Sequence, residues 1–137
     1  MRKIILALVA VACVVPALAF AAQPKKDSTF THCESENDCP LAFETTENGR
    51  KIKNLTMYND CAVVPPVEGR YPKVRVKDTG KFRKTGTVTD VVGQELTFTF
   101  KGKFKKPKKA VGTFEIDRKG CDSEPENFVA KRTGPAR

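Results

Sequence analysis

Tryptophan is absent from the 137 residues, and histidine, tyrosine and serine are nearly so: His32, Tyr58 and Tyr71, and Ser28, Ser35 and Ser123. Each scarcity removes a class of chemistry. No serine lies in a Gly-x-Ser-x-Gly setting, and the one histidine stands in a polar stretch, so no serine triad is indicated. Exposed tryptophan and tyrosine usually build a sugar-stacking surface, and the sequence has little of either. The nine phenylalanines fall mostly on inward positions, which leaves no outward aromatic platform for nucleic-acid bases. His32 adjoins Cys33, with Cys39 six further on, but a zinc site needs a fourth ligand and reduced thiols. The carboxylate pairs Glu34/Glu36, Asp117/Asp122 and Glu124/Glu126 lie in or beside polar loops, where solvation and turn formation are their ordinary roles. We therefore expect no catalytic residues, no metal and no cofactor.

Long apolar runs are scarce as well. The single one begins after Arg2 and Lys3, spans Ile4 to Val15, and leads through Pro16 to small residues ending Ala17-Leu18-Ala19-Phe20-Ala21-Ala22. This charged, apolar, small-residue order is that of a secretory signal peptide over residues 1–21, of bacterial type. Ala19, Ala21 and Ala22 all remain cleavage candidates. Cys13 fits a lipidation motif poorly, since Ala10 stands where leucine is usual and an apolar Val14-Val15-Pro16 follows. No second segment is long and apolar enough to span a membrane as a helix. The expected location is extracellular or at the cell envelope. Because the leader is of bacterial type, the Asn54-Leu55-Thr56 acceptor sequence is expected to carry no glycan.

Four cysteines follow the leader: Cys33, Cys39, Cys61 and Cys121. An even number in an exported chain reads as two disulfides, and four cysteines allow three pairings. We favour Cys33 with Cys39 and Cys61 with Cys121; the sequence leaves the other pairings open.

No stretch keeps a 3.6-residue apolar period over three turns, whereas a period of two recurs. Between Gln94 and Asp117, Leu96, Phe98, Phe100, Gly102 and Phe104 alternate with polar residues, and so do Ala110, Gly112, Phe114 and Ile116. Lys105-Lys106-Pro107-Lys108 separates the two halves, which predicts a hairpin with an aromatic inside and a basic tip. Shorter alternating runs precede it at 41–46, 50–58, 73–77 and 82–90, and one follows at 127–131. In the second of these, Ile52, Leu55 and Met57 change parity, which predicts a bulge near Asn54. About seven short strands between turn signals specify an all-β fold, an antiparallel β-sandwich or a small barrel, with disulfides. The division expected is a polar tether and cysteine loop over 22–39, the β domain over 40–132 and a tail over 133–137.

Positive charge is abundant and uneven. The chain carries 25 Lys and Arg against 16 Asp and Glu, a net charge of +9. Thirteen of the basic residues and three of the acidic ones fall between Arg70 and Lys109. Lys101, Lys103, Lys105, Lys106, Lys108 and Lys109 cluster on the hairpin, while Lys73, Arg75, Lys77 and Arg83 alternate outward on neighbouring strands. Such a surface attracts anionic polysaccharide, cell-wall polymer or anionic lipid headgroups, and nucleic acid is a poorer fit. The competing expectation is a structural or protein-interaction domain whose lysines serve solubility. Its recognition would then use loops 65–71 or 121–125.

Lys81-Phe82, Gly102-Lys103-Phe104, Ala110-Val111-Gly112-Thr113-Phe114, Cys121 and Phe128-Val129-Ala130-Lys131 occur in an order that resembles small exported bacterial proteins of unknown function. Those share a G-x-F, A-x-G-T-[LF], C, [WF]-x-A pattern after a mid-chain cysteine, matched here by Cys61 behind Ile52 and Asn54-Leu55. The resemblance spans roughly residues 40–132. It implies a β-sandwich and no assigned activity. Phe128 replaces the tryptophan frequent in the last motif, and Cys33 and Cys39 are additional to it.

Overall fold

A computed structural model of the chain describes residues 22–62 and 71–137. The expected leader over 1–21, with Cys13, Ala19 and Ala21, and most of loop 65–71 lie outside the described residues. Eight strands follow in order: β1 (Ser28–His32), β2 (Leu41–Thr45), β3 (Lys51–Met57), β4 (Val74–Arg75), β5 (Lys81–Thr89), β6 (Glu95–Lys106), β7 (Lys109–Arg118) and β8 (Glu126–Pro135). No helix among the described residues is long and apolar enough to cross a membrane.

All pairings are antiparallel, in the order β4-β3-β2-β1-β8-β7-β6-β5. One sheet thus runs from β4 to β5. Its two edges meet where Val76 bridges Phe82 beside the Lys77–Lys81 turn, so the sheet is nearly closed into a barrel. Of the two architectures expected, the barrel is the one formed, and a rolled sheet replaces two stacked ones.

Alternation decides what lies inside. Phe30, Phe43, Phe82, Phe100, Phe104, Phe114 and Phe128 are all buried, with Phe30 stacked on Phe43 at 5.2 Å and Phe100 on Phe128 at 5.6 Å. Burying a side chain of this size is worth about 1.5–3 kcal/mol, so these rings dominate the stability of so small a domain. The β3 bulge sits where the parity change places it. Ala42 faces Thr56 but Glu44 faces Lys53, so Phe43 opposes both Asn54 and Leu55, and Asn54 takes a left-handed φ of 48°. That single extra residue brings Ile52, Leu55 and Met57 all inward.

Residues 28–32, expected in a polar tether, instead form β1 at the centre of the sheet, between β2 and β8. Its inward residues are Ser28 and Phe30, and a buried serine gives no apolar signal. Ser28 is satisfied: its Oγ donates to the Lys26 carbonyl at 2.9 Å and accepts from Arg132 Nε at 2.8 Å, and its N–H donates to Thr45 Oγ1 at 3.1 Å. The expected tail is likewise shortened, because β8 continues through Pro135 to pair with Ser28. The hairpin turn narrows to Pro107 and Lys108, since Lys105 and Lys106 remain in β6.

Disulfides join Cys33 to Cys39 and Cys61 to Cys121, the favoured pairing. Both lie at the end of the barrel that holds the 90–94 and 119–120 turns. The opposite end holds the turns at 46–50, 77–80 and 107–108.

Candidate functional site

The outer face of β5, β6 and β7 is built by the same alternation that fills the core. Phe82, Phe100, Gly102 and Phe104 turn inward, so Lys81, Arg83, Lys101 and Lys103 turn outward. Register then sets them opposite one another: Lys81 pairs with Lys103, and Arg83 with Lys101. Directly opposed side chains stand about 4.5–5.5 Å apart at Cβ, and like charges so placed repel. Among the described residues the ion pair formed is Lys53 with Glu44, elsewhere on the barrel, so none of these four cations is in an ion pair.

Between them the sheet is creased. Gly102 pairs with Gly112 across β6 and β7, and the same row continues to Phe82 on one side and Phe128 on the other. A Cβ at Gly112 would lie 2.6 Å from Gly102 Cα and collide with the Lys101 carbonyl oxygen; one at Gly102 would lie 2.8 Å from the Phe82 ring. Only glycine permits so close an approach of backbone. Outside this crease is an open hollow of about 480 Å³, lined by Phe82, Gly102, Val111, Gly112 and Thr113 and edged by Lys77, Lys81, Arg83, Lys101 and Lys103. A second hollow of about 700 Å³ adjoins it, sharing Lys77 and Arg83 and adding Arg75, Asp78, Lys84 and Thr85. It lies where β4 and β5 diverge beyond the Val76–Phe82 bridge.

Of the residues proposed from sequence, Arg75, Lys77, Lys101 and Lys103 come together around these two hollows, with Arg83. Lys105, Lys106 and Lys108 are exposed at the hairpin tip, and half-buried Lys109 faces Lys106 and Lys131. Lys73 is exposed ahead of β4. These five line neither hollow. Sequence reasoning missed Lys81 and Lys84 as site residues. Lys81 was recoverable, because Lys81 and Arg83 flank Phe82 with the spacing of a single outward face.

The disulfide end has the opposite character. A hollow of about 370 Å³ is lined by Glu34, Asp38, Pro40, Tyr58, Asn59, Asp60 and Glu126. Burial and the charges of Glu34 and Asp60 push the Glu126 carboxyl above its usual range. The Tyr58 hydroxyl donates to Asp38 at 2.6 Å, and this bond, with burial, raises its pKa. Among the described residues no group of three or more His, Cys, Asp or Glu is placed to hold a metal ion. His32 instead turns to the backbone, with Nδ1 3.3 Å from both the N–H and the carbonyl of Val129. The 121–125 loop is pinned by the Cys61 disulfide and by Ser123, whose N–H donates to Asp117 at 2.6 Å.

Compared with known proteins, the chain matches no family model, no curated protein and no solved structure.

Proposed function

We propose that this protein is a secreted, non-enzymatic binding module that holds anionic polymers of the cell surface or its surroundings on the outer face of β5 and β6. One observation carries the reading: two cross-strand like-charge pairs, Lys81–Lys103 and Arg83–Lys101, stand side by side, and among the described residues none of the four forms an ion pair. A polyanion laid across them relieves the repulsion and releases its own counterions. Two disulfides support an oxidising compartment, and hence export to the cell exterior or envelope.

The test is retention on immobilised polyphosphate over a salt gradient. The wild type is run beside a face variant (Lys81, Arg83, Lys101 and Lys103 to Ser), a tip variant (Lys105, Lys106 and Lys108 to Ser) and a charge-matched basic control. Retention beyond the control, lost in the face variant and largely kept in the tip variant, is the expected result. Elution of the wild type with the control would reduce the lysines to solubility and turn attention to interaction through loop 121–125.

A further inference from the structure

The hollow over the Gly102–Gly112 crease has a composition that a soluble polyanion does not need. Its rim is cationic but its floor is apolar, made of two glycines, Val111 and the edge of Phe82, with the methylene stems of the rim lysines above them. The floor also has few hydrogen bonds to offer. Gly102 and Gly112 lie in central strands paired on both sides, so their backbone groups are committed to the ladder, and Thr113 supplies the one hydroxyl. A sugar ring seated there would find donors at the cationic rim but few partners for its hydroxyls on the floor. A hydrocarbon chain loses nothing.

We infer that this hollow binds an anionic lipid, with its phosphate between the Lys81–Lys103 and Arg83–Lys101 pairs and the first part of its acyl chain on the Gly102–Gly112 floor. The inference rests on the proposed anion-binding face and names the ligand class for part of it. Charge complementarity decides the headgroup and the apolar crease decides the tail. At about 480 Å³ the hollow falls in the size range of small-ligand sites, roughly 300–1,000 Å³, which are apolar with a few placed polar groups.

The experiment titrates protein expressed from the full chain with three soluble probes. They are a short-chain phosphatidylglycerol below its micelle concentration, glycerol phosphate, and the matching short-chain phosphatidylcholine. Binding is read from amide shifts of Gly102, Val111 and Gly112. The phosphatidylglycerol should bind at least tenfold more tightly than either other probe and shift all three amides. Val111→Asp should remove that preference while the barrel, checked by its unperturbed core resonances, stays folded. Equal affinity for phosphatidylglycerol and glycerol phosphate would overturn the lipid inference and leave the polymer reading standing. Equal affinity for the two lipids, or shifts confined to other residues, would overturn it as well. The polymer reading fails separately, by loss of retention on polyphosphate.

Discussion

Replacing Lys103 with glutamate separates a binding face from a solubilising one, because the two roles predict different combinations of outcomes. Lys103 stands directly opposite Lys81 and diagonal to Arg83 on the outer face. Two unit charges about 5 Å apart in water interact by roughly 0.8 kcal/mol, and measured cross-strand charge effects are about 0.2–1 kcal/mol. Lys103→Glu turns one direct and one diagonal repulsion into attractions. We therefore expect the variant to be more stable than wild type by about 0.5–1.5 kcal/mol at low ionic strength. In ~1 M salt, where the Debye length is about 3 Å, most of the gain should vanish. The assay is urea unfolding with the disulfides intact, at both salt concentrations. A companion variant, Lys81→Glu with Lys103→Glu, restores a like-charge pair and should return the midpoint towards wild type. If the lysines act in binding, the same Lys103→Glu substitution also lowers retention on polyphosphate. Stability gained together with binding lost is the expected pattern. An unchanged or lowered midpoint at low salt would refute the electrostatic reasoning, since the repulsion on which it rests would then be absent.

Three further outcomes follow from the packing. Gly112→Ala drives a Cβ into the Lys101 carbonyl and the Gly102 backbone, so it should cost more than about 2 kcal/mol; a wild-type melting temperature would show that the crease relaxes. Opening the Cys61–Cys121 disulfide, with a sequence separation of 60, should cost about 4 kcal/mol, and opening Cys33–Cys39, with a separation of 6, about 2 kcal/mol. Paired Cys→Ala variants in denaturant titrations check that order, and its reversal would contradict the loop-entropy basis. Tyr71 packs edge-on against Phe98 at 4.9 Å, and its buried hydroxyl meets no partner among the described residues. Tyr71→Phe should be neutral or stabilising by about 1 kcal/mol at pH 7. Burial raises the Tyr71 pKa, so its contribution is whole below about pH 10, the unfolded value, and declines as pH rises towards the folded one. The alkaline loss of stability should therefore flatten in the phenylalanine variant; an unaltered pH profile between 8 and 11 would overturn the assignment.

Where the chain alternates strictly, its fold is legible in the residues. Leu96 to Phe104 and Ala110 to Ile116 gave the hairpin and its inward face, and Ile52, Leu55 and Met57 gave the bulge at Asn54. The strand missed, β1, has a single phenylalanine and an inward serine that accepts a hydrogen bond from Arg132 and donates its N–H to Thr45, residues distant in sequence. Its burial is a tertiary fact with no local apolar trace. The same limit applies to the site. Outward parity identified Lys101, Lys103 and Arg83, but Lys81 and the pairing of the four follow from the β5–β6 register, and the hollow between them from the glycine crease. A glycine in a strand pattern signals a bend or close approach; two such glycines become a site feature only when register sets them face to face.

Lysines interleaved with phenylalanines are also what a hydrophobic hairpin needs to stay soluble, so alternation alone cannot separate the two roles. The order of charges along the strands supports the proposed binding role. From the hairpin end towards the disulfide end, the outward row of β5 reads Lys81, Arg83, Thr85, Thr87, Thr89, and that of β6 reads Lys103, Lys101, Thr99, Thr97, Glu95. On β7 it reads Lys109, Val111, Thr113, Glu115, Asp117. A solubilising face is best served by mixing the signs, which also removes cross-strand repulsion. Here cations gather at one end, threonines occupy the middle and carboxylates the other end, beside the acidic hollow of Glu34, Asp38, Asp60 and Glu126. The acids on β6 and β7 show that these strands accept negative charge on the same outer face, so their exclusion from the rows around Gly102 and Gly112 is not imposed by the fold. Under the proposed binding role, this polarity would turn the hairpin end towards an anionic surface before contact, with Lys81, Arg83, Lys101 and Lys103 the cations that meet it.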